Sequence, residues 1–124
     1  MNPQKKILVV EDDKFLLEML SGELKKEGYT VLTAKDGKSG LALALGEKPD
    51  LILLDLLLPV MDGFSMLQEL NKKSDARPPV MVLSNLSDLE NVEKVRLQGV
   101  RDYLVKTAWT PEELLKKVNE KLGA

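Results

Sequence analysis

Neither cysteine nor histidine occurs among the 124 residues of this chain. Without thiols there can be no disulfide, no thiolate nucleophile and no zinc ribbon, and folding does not depend on an oxidising compartment. Without imidazole there is no serine-type triad, no histidine metal ligand and no phosphohistidine made on the chain itself. An excess of charge is also missing. Eighteen Lys and Arg against twenty Asp and Glu leave a net of -2, too even for an electrostatic nucleic-acid binder, so direct binding of nucleic acid is not expected. Long apolar runs are absent near the start: four apolar residues, Ile7 to Val10, precede Glu11. That is far short of a signal-peptide core or a membrane span, and the expectation is a soluble cytoplasmic protein without membrane insertion.

What is present is a regular alternation. Short apolar runs (Ile7 to Val10, Thr30 to Ala34, Leu51 to Leu54, Val80 to Leu83, Asp102 to Val105) are separated by longer stretches of helical period. Such alternation predicts an α/β fold in which helices cover both faces of a parallel sheet. The second run is mixed, which places it nearer an edge. Phe15, Leu16, Met19, Leu20 and Leu24 mark a first helix closing on Lys25-Lys26-Glu27-Gly28, and further helices are expected near Lys38 to Glu47 and Phe64 to Lys72. A fourth opens at Ser87, with Glu90 as its capping-box partner, and closes at Gly99. A fifth opens on Thr110-Pro111-Glu112-Glu113, with Trp109 and Leu114 spaced for a hydrophobic staple. With no repeat, low-complexity segment or linker, residues 1–124 read as a single domain that carries no output domain.

One stretch is chemically odd. In "PDLILLDLLLPVMDGF", residues 49 to 64, Asp55 sits between Leu51-Ile52-Leu53-Leu54 and Leu56-Leu57-Leu58. A carboxylate taken from water costs several kcal/mol, on the order of the penalties seen for unpaired buried ions, unless partners are supplied. In a parallel sheet all strands end on one edge, where ligand sites collect. Glu11-Asp12-Asp13, Asp55, Ser84-Asn85 and Lys106-Thr107 follow or end the first, third, fourth and fifth strands, so they meet there. Two carboxylates about 4 Å apart repel by roughly 4 kcal/mol at an effective dielectric near 20. One lysine does not offset three acids, and Mg²⁺ is the natural neutraliser, with Mn²⁺ able to substitute. Were a phosphoryl group to arrive, Lys106 would pair with its oxygens, Ser84 would donate a hydrogen bond and Asp55 would attack. Asp13 reads as a helix cap, Glu11 and Asp12 as metal ligands.

"ILVVEDD" at 7 to 13, the Asp55 stretch, "PVMVLSN" at 79 to 85 and "DYLVKT" at 102 to 107 together resemble the receiver domain of two-component response regulators. The resemblance spans essentially the entire chain. It implies a doubly wound five-stranded parallel sheet of flavodoxin-like order 2-1-3-4-5 flanked by five helices. It also implies Asp55 as phosphoacceptor, Mg²⁺ held by Glu11, Asp12, Asp55 and the backbone carbonyl of Leu57, and Lys106 on the phosphate. Ser84 and Tyr103 would be switch residues that reshape the face of the fourth helix, fifth strand and fifth helix. A sensor histidine kinase or histidine phosphotransfer protein would be the donor and a downstream protein the target, with phosphorylation-linked dimerisation through the same face. Such a domain is no enzyme beyond its own phosphorylation and dephosphorylation.

Several positions depart from the family pattern. Thr107 replaces the usual proline after the lysine, and a cis bond without proline costs about 3 to 4 kcal/mol, so a trans bond and a shifted loop are expected. Asn85 stands where a small residue is usual and would crowd the entry to Asp55. Leu57 and Leu86, two residues beyond Asp55 and Ser84, cannot orient an attacking water, which implies a long-lived acyl phosphate. A haloacid-dehalogenase-like phosphatase would need an acid at position 57, and a nucleotide-binding fold a glycine-rich loop after the first strand. The alternative that keeps its place is a degenerate receiver-like interaction module that accepts no phosphate. Within the receiver reading, a diffusible adaptor, a phosphorelay intermediate and a domain excised from a longer protein all remain open.

Overall fold

The computed structural model describes residues 4–74, 77–85 and 89–123. Five strands alternate with five α-helices: β1 (Lys6–Val10), α1 (Lys14–Lys26), β2 (Thr30–Ala34), α2 (Gly37–Glu47), β3 (Leu51–Leu54), α3 (Gly63–Lys73), β4 (Val80–Ser84), α4 (Leu89–Leu97), β5 (Asp102–Val105) and α5 (Pro111–Leu122). All pairings are parallel and the order is β2-β1-β3-β4-β5, as the sequence resemblance implied. β2 is indeed an edge strand. The expected helix opening at Ser87 lies outside the described residues.

Strand alternation divides the apolar side chains between two layers, because successive side chains point to opposite faces. Leu8, Val10, Ile52, Leu54, Val80 and Val82 face α2, α3 and α4, meeting Leu41, Met66, Leu67, Leu70 and Val95. Ile7, Val9, Leu51, Leu53, Met81 and Leu83 face α1 and α5, meeting Leu17, Leu20, Leu24, Leu114 and Val118. This two-sided burial is why β1, β3 and β4 are continuous apolar runs rather than alternating ones.

The helix starts are set by short polar side chains. The carboxylates of Asp13, Asp36 and Asp62 accept from the backbone N–H groups of Leu16, Ser39 and Ser65, each satisfying a donor that the first helical turn leaves without an intrahelical partner. Thr110 caps α5 at Glu113, with Pro111 at the first helical position, while Trp109 and Leu114 pack into the same apolar layer. The bonding differs in detail from the reciprocal box, since the Glu113 carboxylate accepts from the Thr110 hydroxyl.

Candidate functional site

Register brings the site together. Val10 lies opposite Leu54, Leu54 opposite Val82, and Ser84 opposite Val105. Glu11, Asp55 and Lys106 each follow the last residue of a strand, and Ser84 ends its own, so all four occupy one edge. The ladder continues one step past the strands, with Asp55 N–H donating to the Val10 carbonyl and Glu11 N–H to that of Ala34, each at 3.0 Å. Both acids are therefore fixed by backbone before their side chains make any contact.

Asp55 is buried, only 5% exposed, and each carboxylate oxygen has a partner. Oδ1 accepts from Leu57 N–H at 3.2 Å and Oδ2 from Lys106 Nζ at 3.1 Å. Glu11 is equally buried; its Oε2 accepts from Asp13 N–H at 3.1 Å. Its Oε1 lies 2.5 Å from Lys106 Nζ but outside hydrogen-bonding alignment, and so remains a buried acceptor without a hydrogen bond. Two buried carboxylates thus share one ammonium. Burial pushes the Glu11 carboxyl from 4.5 up to about 7, against the pull of Lys106 and the Asp13 N–H, and the charge of Asp55 adds to the rise. For Lys106 burial acts to lower the pKa, but contact with Glu11 and the charge of Asp55 outweigh it and hold the ammonium above its ordinary value.

Asp12 is exposed, yet one oxygen each from Glu11, Asp12 and Asp55 fall within 4.8 Å of one another. Hard carboxylate oxygens in a cluster short of positive charge, one of them lacking a hydrogen bond, suit a divalent cation of the Mg²⁺ type. Asp13 stands apart as the cap of α1, as its position after the acidic pair suggested. Ser84 is fully buried, and Tyr103 is half-buried against the α2–α3–α4 layer. Asn85 is exposed. The bond before Thr107 is trans, as expected, and Lys106–Ala108 form one turn of 3-10 helix.

Sequence reasoning missed how tightly the loop after Asp55 is held. Val60 has φ +67°, and Met61 N–H donates to the Pro59 carbonyl at 2.7 Å, a γ-turn centred on an exposed β-branched residue. Nothing in "PVM" announces this, since valine is the wrong residue for such a backbone. Gly63 and Gly37 press on the same loop: a Cβ on Gly63 would lie 2.6 Å from the Asp55 carbonyl oxygen, and one on Gly37 1.8 Å from that of Met61. The glycines themselves were the available signal.

A doubly wound parallel sheet with acids, a hydroxyl and a lysine at its carboxyl edge defines a class of α/β domain whose ligand site lies beyond the strand ends. Comparison with known proteins narrows it. The response regulator receiver domain pattern matches residues 7–119. A probable transcriptional regulator, ycf27, of Porphyridium aerugineum is 36% identical over 119 residues, covering 96% of this chain and 48% of that protein. The CheY-like receiver domain protein of Methanospirillum hungatei JF-1 superposes with a TM-score of 0.90 at 32% identity, covering 98% of this chain and 95% of that one. The BeF3-activated DrrB receiver domain gives 0.84 at 31% identity, covering 98% and 100%. The chain belongs to the response regulator receiver domain family, whose general role is phosphorylation-dependent signalling in two-component systems. It spans about half the length of the curated relatives it matches.

Proposed function

We propose that Asp55 accepts a phosphoryl group from a phosphohistidine on a sensor histidine kinase or histidine phosphotransfer protein. The supporting observation is the buried Asp55 carboxylate held between Leu57 N–H and Lys106 Nζ, beside the acids Glu11 and Asp12. A carboxylate oxygen of Asp55 attacks phosphorus, the phosphorus–nitrogen bond breaks, and the donor imidazole leaves with the electron pair and takes a proton from solvent. Lys106 turns from Asp55 to the phosphoryl oxygens, and the Ser84 hydroxyl donates to them. Glu11, Asp12, Asp55 and the Leu57 carbonyl are the groups that would hold Mg²⁺, or Mn²⁺ in its place, which when bound supplies charge neutralisation for the incoming phosphoryl oxygens.

The output is protein contact or onward transfer of the phosphoryl group in a phosphorelay. Filling of the site draws on Ser84 and Tyr103, and the face of α4, β5 and α5 changes toward a downstream protein segment or a second copy of the chain. Among the described residues no helix is long and apolar enough to cross a membrane. Leu57 presents an exposed apolar side chain where a polar one would orient water, so the acyl phosphate is long-lived.

Incubation with Mg²⁺ and acetyl phosphate, followed by intact mass, tests the reading. The expected result is one phosphate on the natural chain, none on Asp55→Asn and none without divalent metal, with the adduct persisting for hours after donor removal. No adduct on the natural chain overturns phosphate acceptance and favours an interaction module. A rapidly lost adduct overturns only the role given to Leu57.

A further inference from the structure

The sheet has a free edge at β2. Thr30 N–H donates to the Lys5 carbonyl and the Ala34 carbonyl accepts from Glu11 N–H, so the main-chain groups of Thr30 and Ala34 point toward β1. The N–H and C=O of one residue share a side of the strand and successive residues alternate, so those of Val31 and Thr33 point the other way. Among the described residues β2 pairs with β1 alone, which leaves these outward donors and acceptors without a strand partner.

Val31, Thr33 and Lys35 also form one wall of a groove of about 440 Å³, whose other wall is α1. The groove is short of negative charge. Lys14, Lys25 and Lys35 line it against Glu18 alone, and none of the three lysines makes an ion pair among the described residues. By contrast Lys26, Lys72 and Lys94 each pair with a glutamate of their own helix. Ser21 lies in the same groove, 9% exposed, and its hydroxyl makes no hydrogen bond among the described residues. Along α1, Lys14 and Lys25 stand roughly 16 Å apart at about 1.5 Å per residue. The five residues of β2 cover about 17 Å. Positive charge therefore runs the length of the strand, which suits an extended chain with spaced carboxylates and not a compact anion. Lysines beside an edge strand also guard against self-pairing, because a second β2 would bring the same cations face to face. A strand of opposite charge meets no such barrier.

From this match we propose that the β2 edge and the α1 groove receive an extended acidic segment of a partner protein, added to the sheet as a further strand. The main chain of the segment bonds to Val31 and Thr33, its carboxylates pair with Lys14, Lys25 and Lys35, and the Ser21 hydroxyl supplies a donor to it. None of these residues belongs to the Asp55 site, so the proposal does not depend on phosphate acceptance.

The experiment is titration of the isotopically labelled full chain with a capped hexapeptide of alternating valine and glutamate, followed by amide resonances. A second peptide of alternating proline and glutamate carries the same charge but lacks every second N–H and cannot extend a ladder. The valine peptide is expected to give saturable downfield shifts of the Val31 and Thr33 amide protons, and the proline peptide to bind about tenfold more weakly or less. A chain carrying Lys25→Glu and Lys35→Glu, both at exposed positions, is expected to bind the valine peptide about tenfold more weakly, with a thermal melt matching the natural chain to separate lost docking from lost fold. No saturable shift at Val31 and Thr33 overturns strand addition. Equal binding of the two peptides overturns it as well and leaves a contact of charge alone. A dimer in sedimentation whose dilution moves the same two amides overturns the acidic partner in favour of a second copy of the chain.

Discussion

Among the described residues close to the site, Val60 is the one whose backbone disagrees with its side chain. A β-branched side chain at φ +67° carries a penalty of about 1 to 3 kcal/mol, and Val60 is too exposed to recover it through packing. Glycine would remove the steric term at an entropic cost of about 0.5 to 1 kcal/mol in the unfolded chain. Val60→Gly is therefore expected to stabilise the protein by about 1 kcal/mol in urea denaturation with an unchanged m-value; equal or lower stability would show that the γ-turn is unstrained. Strain stored at a loop beside a reacting group is a recurrent feature of sites that must change shape. Here it lies five residues from Asp55, in the segment pressed by Gly37 and Gly63.

At the scale of elements, glycine positions separate the parts of the fold that can tolerate substitution from those that cannot. Gly22 lies inside α1 with open space around a would-be Cβ, whereas Gly63 opens α3 directly against the Asp55 carbonyl and the Leu56 Cα, at 2.6 and 2.7 Å. Gly22→Ala is expected to stabilise by about 0.5 to 1 kcal/mol. Gly63→Ala forces backbone apart and is expected to cost about 1 to 3 kcal/mol, and to slow phosphorylation because the Asp55 loop shifts. Thermal melts of both variants check the signs. The same elements show what a sequence can and cannot carry. The three inner strands β1, β3 and β4 were legible because burial on both faces writes Ile7 to Val10, Leu51 to Leu54 and Val80 to Leu83 as unbroken apolar runs, and α5 because Thr110-Pro111 is a strong local start. Asp55, Glu11, Ser84 and Lys106 were legible as a group because parallel strands end together. The 3-10 turn at Lys106–Ala108 and the γ-turn at Val60 were not. Each depends on a neighbour distant in sequence or on a conformation that its residue type does not favour, and no local pattern encodes that.

At the scale of the whole molecule, the site sets how stability depends on pH. Glu11 holds its proton more tightly in the folded protein, at about 7, than at its ordinary 4.5. The folded state therefore binds the extra proton, and the stability this provides is complete below 4.5 and lost as pH rises through 7. The metal-free natural chain is expected to lose on the order of 3 kcal/mol over that window relative to Glu11→Gln, which cannot titrate. Mg²⁺ at the proposed site would work in the opposite sense, because a ligand that requires the ionised carboxylate binds more tightly as pH rises and stabilises only the folded state. Urea denaturation of both chains across the window, with and without Mg²⁺, checks the argument. A stability difference between them that does not vary with pH would mean that Lys106 already neutralises Glu11 throughout, and that the cluster exacts no cost for being kept ready. A difference that grows with pH and closes on adding Mg²⁺ would identify the acidic edge as a stability cost borne by the metal-free fold and offset when the site is filled.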